Sequence, residues 1–193
     1  MGRPKCFDES KVLDSAIDCF WRNGLKASSI RTLADEMGIA GPSLYNAYGN
    51  KQTLFTKALE RYAETTLRPR FLQVRGLPPL DAIRSFLQEQ VEITLNDPDG
   101  KGCFFVNTTI ETAYCEQELS AEAIAYLDEI KEFFYSNLRA AQLKGELSSE
   151  ANIVEISEML YVIVVGICVC ARTRPNRSEI EAALAPAFKL LSA

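Results

Sequence analysis

The chain of 193 residues has 47% hydrophobic and 24% charged side chains and a net charge of −5, the balance of an ordinary soluble globular protein that can bury a core without staples. It contains no histidine, so histidine-dependent hydrolysis and histidine-based zinc chemistry are excluded, and neither a metal nor a cofactor is expected. The six cysteines (Cys6, Cys19, Cys103, Cys115, Cys168 and Cys170) are scattered without a Cys-x-x-Cys pair and are expected to be reduced thiols.

No strand-like alternation persists anywhere, and helical spacing runs almost throughout, so the fold is expected to be all-α. Asp8 is placed to cap a first helix, with Phe7 and Val12 spaced as a hydrophobic staple. The buried stripe of that helix is Leu13, Ala16/Ile17 and Phe20, and Gly24 stops it. A short second helix starts after Ser28 or Ser29, buries Leu33, Ala34 and Met37, and ends at Gly38. A third starts at Gly41-Pro42, where a missing N–H costs nothing, and stops at Gly49. Asn50 then caps a fourth helix with the stripe Leu54/Phe55, Ala58/Leu59 and Tyr62.

Three prolines and a glycine in 68–79 mark the expected boundary between a head, 1–67, and a larger body, 68–193. The body reads as helices over 79–96, 102–114, 120–144, 149–172 and 178–191, the last with a capping box from Ser178 and Glu181. The longest apolar run, 159–171, is shorter than the roughly 20 residues a bilayer requires. With no leader in the first residues, a cytoplasmic protein without a membrane partner is expected.

Charge is distributed unevenly: residues 1–62 hold nine Lys/Arg against seven Asp/Glu, and residues 63–193 hold twelve against nineteen. A slightly basic head on an acidic body fits contact with phosphates at one end only, although random surface charge would give so small a difference too. The informative stretch is 28–51, SSIRTLADEMGIAGPSLYNAYGNK. Two short helices, the tight turn 38–41 and an apolar set of Ile30, Leu33, Ala34, Ile39, Leu44 and Tyr48 describe either a helix-turn-helix or an ordinary helical hairpin.

The residues themselves resemble the TetR family of bacterial repressors. FWRNG, SSIRTLADEMGI and GPSLYNAYGNKQTLF carry the resemblance over about the first 60 residues, most sharply in Pro42-Ser43-Leu44-Tyr45 and Gly49-Asn50-Lys51. The resemblance implies that Ser29 and Lys51 hold phosphates, and that Arg31 reaches a base edge, where a guanidinium reads guanine bidentately. It further implies that Gly41, Pro42, Ser43, Tyr45, Asn46 and Ala47 form the contacting face of the recognition helix. Arg3 and Lys5 would belong to a basic arm along the groove or backbone, though a plain tail fits the residues equally. The implied protein is a ligand-responsive repressor of double-stranded operator DNA, not an enzyme.

The body is expected to dimerise and to sense. Met159, Leu160, Val162, Ile163, Val164, Val165, Ile167 and Val169 cover more than one helix face, which suits a homodimer built through the last two helices. Phe86, Gln90, Phe104, Asn107, Thr108, Glu111 and Phe133, together with Cys103, mix aromatic walls with polar groups as a small-molecule effector pocket does; plain core packing is the alternative. Cys103 follows Gly100-Lys101-Gly102 at a helix start, where the helix N-terminus and the lysine would favour a thiolate. An alternative regulator senses oxidants or electrophiles through Cys103, with Cys115 as the other thiol of the same segment. Along a straight helix those two lie roughly 18 Å apart, beyond disulfide reach.

Overall fold

A computed structural model describes residues 7–191, and every element in it is helical. Arg3 and Lys5 of the expected arm lie outside the described residues.

α1 (Glu9–Ala27) starts where expected, with the Asp8 carboxylate accepting from Ser10 N at 3.1 Å and Lys11 N at 3.4 Å. Gly24, at φ 78 and ψ 168, breaks it one turn before its end. α2 (Ile30–Met37) is capped by Ser29 rather than Ser28, and Gly38 ends it in the left-handed region at φ 65. Ser28 is buried and instead donates its hydroxyl to Gly24 O at 2.6 Å. α3 (Gly41–Tyr48) follows, with Pro42 in its first turn.

Asn50 caps α4 (Lys51–Tyr62) by accepting from Thr53 N at 2.8 Å. Asn50→Ala is expected to cost about 1 kcal/mol, the usual worth of an N-cap, and to lower the urea midpoint by that amount with an unchanged slope. α4 does not stop at the expected boundary. It passes through one π-helical stretch, Ala63–Leu67, into α5 (Arg68–Gln73). Pro69 follows just after the π-helical stretch, where Arg68 N reaches back to Ala63 O, and Arg70 is buried, so the segment is held as helix. The chain turns only at 74–78, around Gly76 at φ 91.

The body comprises α6 (Pro79–Leu95), α7 (Phe104–Thr112), α8 (Gln117–Lys144), α9 (Ile153–Cys170) and α10 (Arg177–Leu190). α8 lies against α6, α7 and α9, and α7 also packs on α1, so one core runs from head into body. The last capping box is Asn176 with Glu179, not Ser178 with Glu181. Ser178 donates to Asn176 Oδ1 at 2.6 Å, and Glu181 accepts from Arg177.

One sequence expectation fails on length. The run 159–171 belongs to a continuous helical stretch, Ile153–Thr173, whose 21 residues are long and apolar enough to cross a bilayer by length and composition. The extra length comes from Ile153, Val154 and Ile156, which precede the run behind Glu158.

Candidate nucleic-acid interface and body cavity

The reading pair is set by backbone punctuation. At the end of α2, Gly38 N donates to Asp35 O at 3.2 Å and Ile39 N to Ala34 O at 3.0 Å, closing the turn that swings the chain into α3. Leu33, Ala34, Leu44 and Tyr48 are buried and lock α2 and α3 against α1 and α4. That fixes what α3 turns outward: Pro42, Ser43, Tyr45 and Asn46 are exposed, Tyr45 to 63%. Ala47 is half-buried and packs on the core, so its methyl faces partly inward. Arg31 is exposed on α2.

Ala40, the N-cap of α3, contributes no side-chain cap, and the helix begins with glycine and proline. A Cβ on Gly41 would meet nothing within 4 Å, so nothing inside the chain demands that glycine. The backbone is bare there on its outer side, the condition for close approach to a phosphate. Ser29 is exposed at the start of α2, its Oγ accepting from Thr32 N at 3.1 Å.

Lys51 has an internal task beside the phosphate role implied for it. Its Nζ donates to Leu25 O at 2.6 Å and Ser28 O at 2.9 Å, tying the end of α1 to the start of α4.

Glu111 and Asn107, expected in an effector pocket, also join the body to the head. The Glu111 carboxylate accepts from Leu25 N and Lys26 N at 3.0 Å each, the N–H groups exposed by the break at Gly24. Asn107 Nδ2 donates to Lys101 O at 2.8 Å, and Trp21 Nε1 donates to the same carbonyl at 3.2 Å. Phe104 lies among the rings of Trp21, Phe55 and Tyr62, with centroids 5.4–5.9 Å away. Thr108 is buried and donates to Phe104 O. These four expected ligand residues line a groove between α1 and α7. Phe86 and Phe133 belong to a packed aromatic cluster with Phe71 and Phe134.

Of the expected set, Gln90 and Cys103 reach a separate cavity of about 40 Å³ inside the body, between α4–α5, α6, α7 and α9. Tyr62, Arg70, Val164 and Cys168 are among the other residues of its wall, to which α8 adds Leu127 and Ile130. Arg70 was hidden in sequence by the proline-rich boundary. Its guanidinium is held by Glu89 Oε2 at 2.9 Å, Gln90 Oε1 at 3.0 Å and Phe86 O at 3.2 Å, and it stacks 4.0 Å over the Phe86 ring.

Cys103 is the N-cap residue of α7. The neighbouring Cys168 thiol, then the N–H groups of Val106 and Phe105 and the charge of Arg70, bring its thiol down to about 7 against the opposition of burial. Lys101 is not among the causes, because its Nζ pairs with Asp18 at 3.5 Å and sits over the Trp21 ring. Cys115 does not join Cys103. It is exposed past the far end of α7, its Sγ directed at Glu111 O. Alkylation of Cys103 by iodoacetamide is expected to rise with pH through a midpoint near 7, because the depressed pKa populates the reactive thiolate early. Mass spectrometry of the Cys103 peptide across a pH series checks this, and a midpoint near the ordinary 9.0 would contradict it.

α9 has two faces. Leu160, Val164 and Ile167 are buried in the body, whereas Met159, Val162, Gly166 and Val169 are exposed at three- and four-residue spacing. That spacing makes one outward apolar stripe with a glycine at its centre.

An N-terminal helix-turn-helix with an outward reading face, carried on a helical body, is the architecture of a DNA-binding transcriptional regulator. Residues 12–58 match the family model for bacterial regulatory proteins of the tetR family, and residues 79–186 match that of the tetracyclin repressor-like C-terminal domain. The chain belongs to the TetR family. It is 36% identical over 154 residues to the uncharacterized HTH-type transcriptional regulator YezE of Bacillus subtilis (strain 168), covering 78% of each chain. It is 27% identical over 179 residues to the HTH-type transcriptional repressor ComR of Escherichia coli (strain K12), covering 89% of this chain and 82% of that one. Among solved structures, a cysteine-substituted form of the TetR family regulator CifR, complexed with 26-bp double-strand operator DNA, superposes with a TM-score of 0.85 at 28% identity over 99% of both chains. Escherichia coli NemR in its reduced form shares the fold, with a TM-score of 0.83 at 15% identity over 95% of this chain and 97% of that one.

Proposed function

We propose that the chain is a cytoplasmic homodimeric repressor that leaves its operator when a small effector binds in the body. The observation that carries the reading is the outward face of α3: Pro42, Ser43, Tyr45 and Asn46 are exposed beside an open Gly41 backbone, with no packing role to account for them. Ser29 and Arg31 extend that face along α2. Tyr45 serves as a phosphate donor, and Arg31 and Asn46 read base edges. The third donor of Lys51 Nζ remains for a phosphate beside its two internal bonds. CifR, similar over nearly its whole length, is known with operator DNA, and ComR is described as a repressor.

A single reading head spans too few base pairs for selectivity, so a second copy is required. The stripe of Met159, Val162, Gly166 and Val169 is the surface for it, the glycine permitting close helix approach. The effector acts by preferring a head spacing that does not fit successive major grooves. The Glu111 carboxylate and the Phe104 ring are the contacts through which a shift of α7 reaches the head.

Fluorescence-anisotropy titration against promoter fragments, across a salt series, tests the reading. Selective binding that weakens with salt is expected, and Arg31→Ala should cost about 1–3 kcal/mol, roughly 5- to 150-fold in affinity. Equal binding to all fragments, or an Arg31→Ala protein as tight and selective as the original, would refute it. Val162→Glu should convert the dimer to monomer in sedimentation, since it places charge on the stripe.

A further inference from the structure

We propose that Cys103 and Cys168 form a two-thiol modification site that takes a hydroperoxide as its substrate and closes to a disulfide between α7 and α9. The two side chains line the same cavity, close enough that each thiol perturbs the other, Cys103 downward and Cys168 upward. The main chains meet beside them. Gly102 adopts φ 71, and a Cβ added to it would lie 2.5 Å from the Cys168 carbonyl oxygen. That contact sets the two main chains side by side next to the thiols, the close approach a disulfide requires.

The two sulfurs are differentiated. Cys103 sits over the N–H groups that open α7, with Arg70 nearby, so it is the thiolate and the attacking group. Cys168 is buried, receives an N–H from Gln90 Nε2 at 3.5 Å, and is held as a neutral thiol by Cys103 and by burial. An outer groove lined by Asp14, Asp97 and Asp99 shares Tyr62, Thr66, Ile93 and Gly102 with the cavity, which makes it the entrance. Asp14, Asp97 and Asp99 outnumber Lys101 at that mouth, a balance that favours a neutral oxidant over an anionic one.

The Cys103 thiolate attacks one peroxide oxygen. The S–O bond forms as the O–O bond breaks, and the departing alkoxide or hydroxide takes a proton from solvent. Cys168 sulfur then attacks Cys103 sulfur, forming S–S and breaking S–O, and the proton of Cys168 leaves with the hydroxide as water. Two thiols lose two electrons in all, and the hydroperoxide is reduced to an alcohol, or to water from hydrogen peroxide, with one further water. The new bond ties α7, which holds the head through Glu111, to α9, which carries the exposed stripe. The effect on DNA rests on the regulator reading above; the chemistry does not.

The test treats the reduced full-length protein with equimolar hydrogen peroxide, maps disulfides under non-reducing digestion, and titrates DNA in parallel. A Cys103–Cys168 linked peptide is expected as the main product, together with a roughly 5- to 150-fold fall in operator affinity that dithiothreitol reverses. Cys168→Ala should abolish both and leave Cys103 as a sulfenic acid that dimedone traps, while Cys115→Ser with Cys170→Ser should change neither. Mapping of the unsubstituted protein does not depend on any variant folding. Cys103 paired elsewhere, or left as an unresolved sulfenic acid in that protein, would overturn the site. A cross-link with unchanged DNA affinity would overturn its regulatory part. Failure of the reduced protein to bind any DNA counts against the regulator reading alone, because the mapping uses no DNA.

Discussion

Gly102→Ala is expected to lower stability by about 2–5 kcal/mol. Two costs combine. An L-residue at φ 71 loses roughly 1–2 kcal/mol to backbone strain, and a methyl 2.5 Å from the Cys168 carbonyl forces α7 and α9 apart at a typical further cost of about 1–3 kcal/mol. The obstacle is main chain, so no side chain can swing away to relieve it. For a chain of this length the melting temperature should fall by roughly 5–20 °C. A melting curve that superposes on that of the original protein would mean that the two backbones do not meet as described.

Phe104→Ala should cost about 3–5 kcal/mol, the usual range for a buried phenylalanine truncated to alanine. Its second consequence is more informative. The ring touches Trp21 and Phe55 of the head and Tyr62 at the end of α4, so its loss hollows the place where head and body share one core. Calorimetry should then show a broadened or divided transition in place of a single one. A single sharp transition at the original temperature would mean that α7 contributes little to joining the two parts.

The head was legible in sequence because its signals are local. Gly38, Pro42 and Gly49 each dictate a backbone conformation on their own, and Asp8 and Asn50 cap within three residues. The body was legible in helix order but less so in its ends. Asn176 and Ser178 are both competent caps two residues apart, and only the structure decides between them. The prolines near α5 resembled a linker because composition cannot say that Pro69 lies in a first turn or that Arg70 finds three acceptors.

The body cavity was the least legible feature. Sequence puts Gln90 and Cys103 in one expected pocket with Phe104, Asn107, Thr108 and Glu111, while Cys168 lies 65 positions beyond Cys103 in a helix that reads as largely apolar. Glu111 braces the head as well as lining the groove that a carboxylate among aromatic residues suggests, and the bracing is invisible in sequence. Its partners, two backbone N–H groups 85 and 86 positions earlier, leave no trace in residue type.

Those two bonds also bear on how such proteins are recombined. The break at Gly24 leaves Leu25 N and Lys26 N to be satisfied by a side chain from another part of the chain. This head is therefore not an interchangeable cassette. A chimera that grafts residues 7–62 onto a foreign body inherits two donors without their acceptor, and an aromatic hollow where Phe104 should enter. Such a hybrid needs a carboxylate and a ring supplied at the matching turns of its own α7, and natural shuffling of heads and bodies would be held to the same requirement.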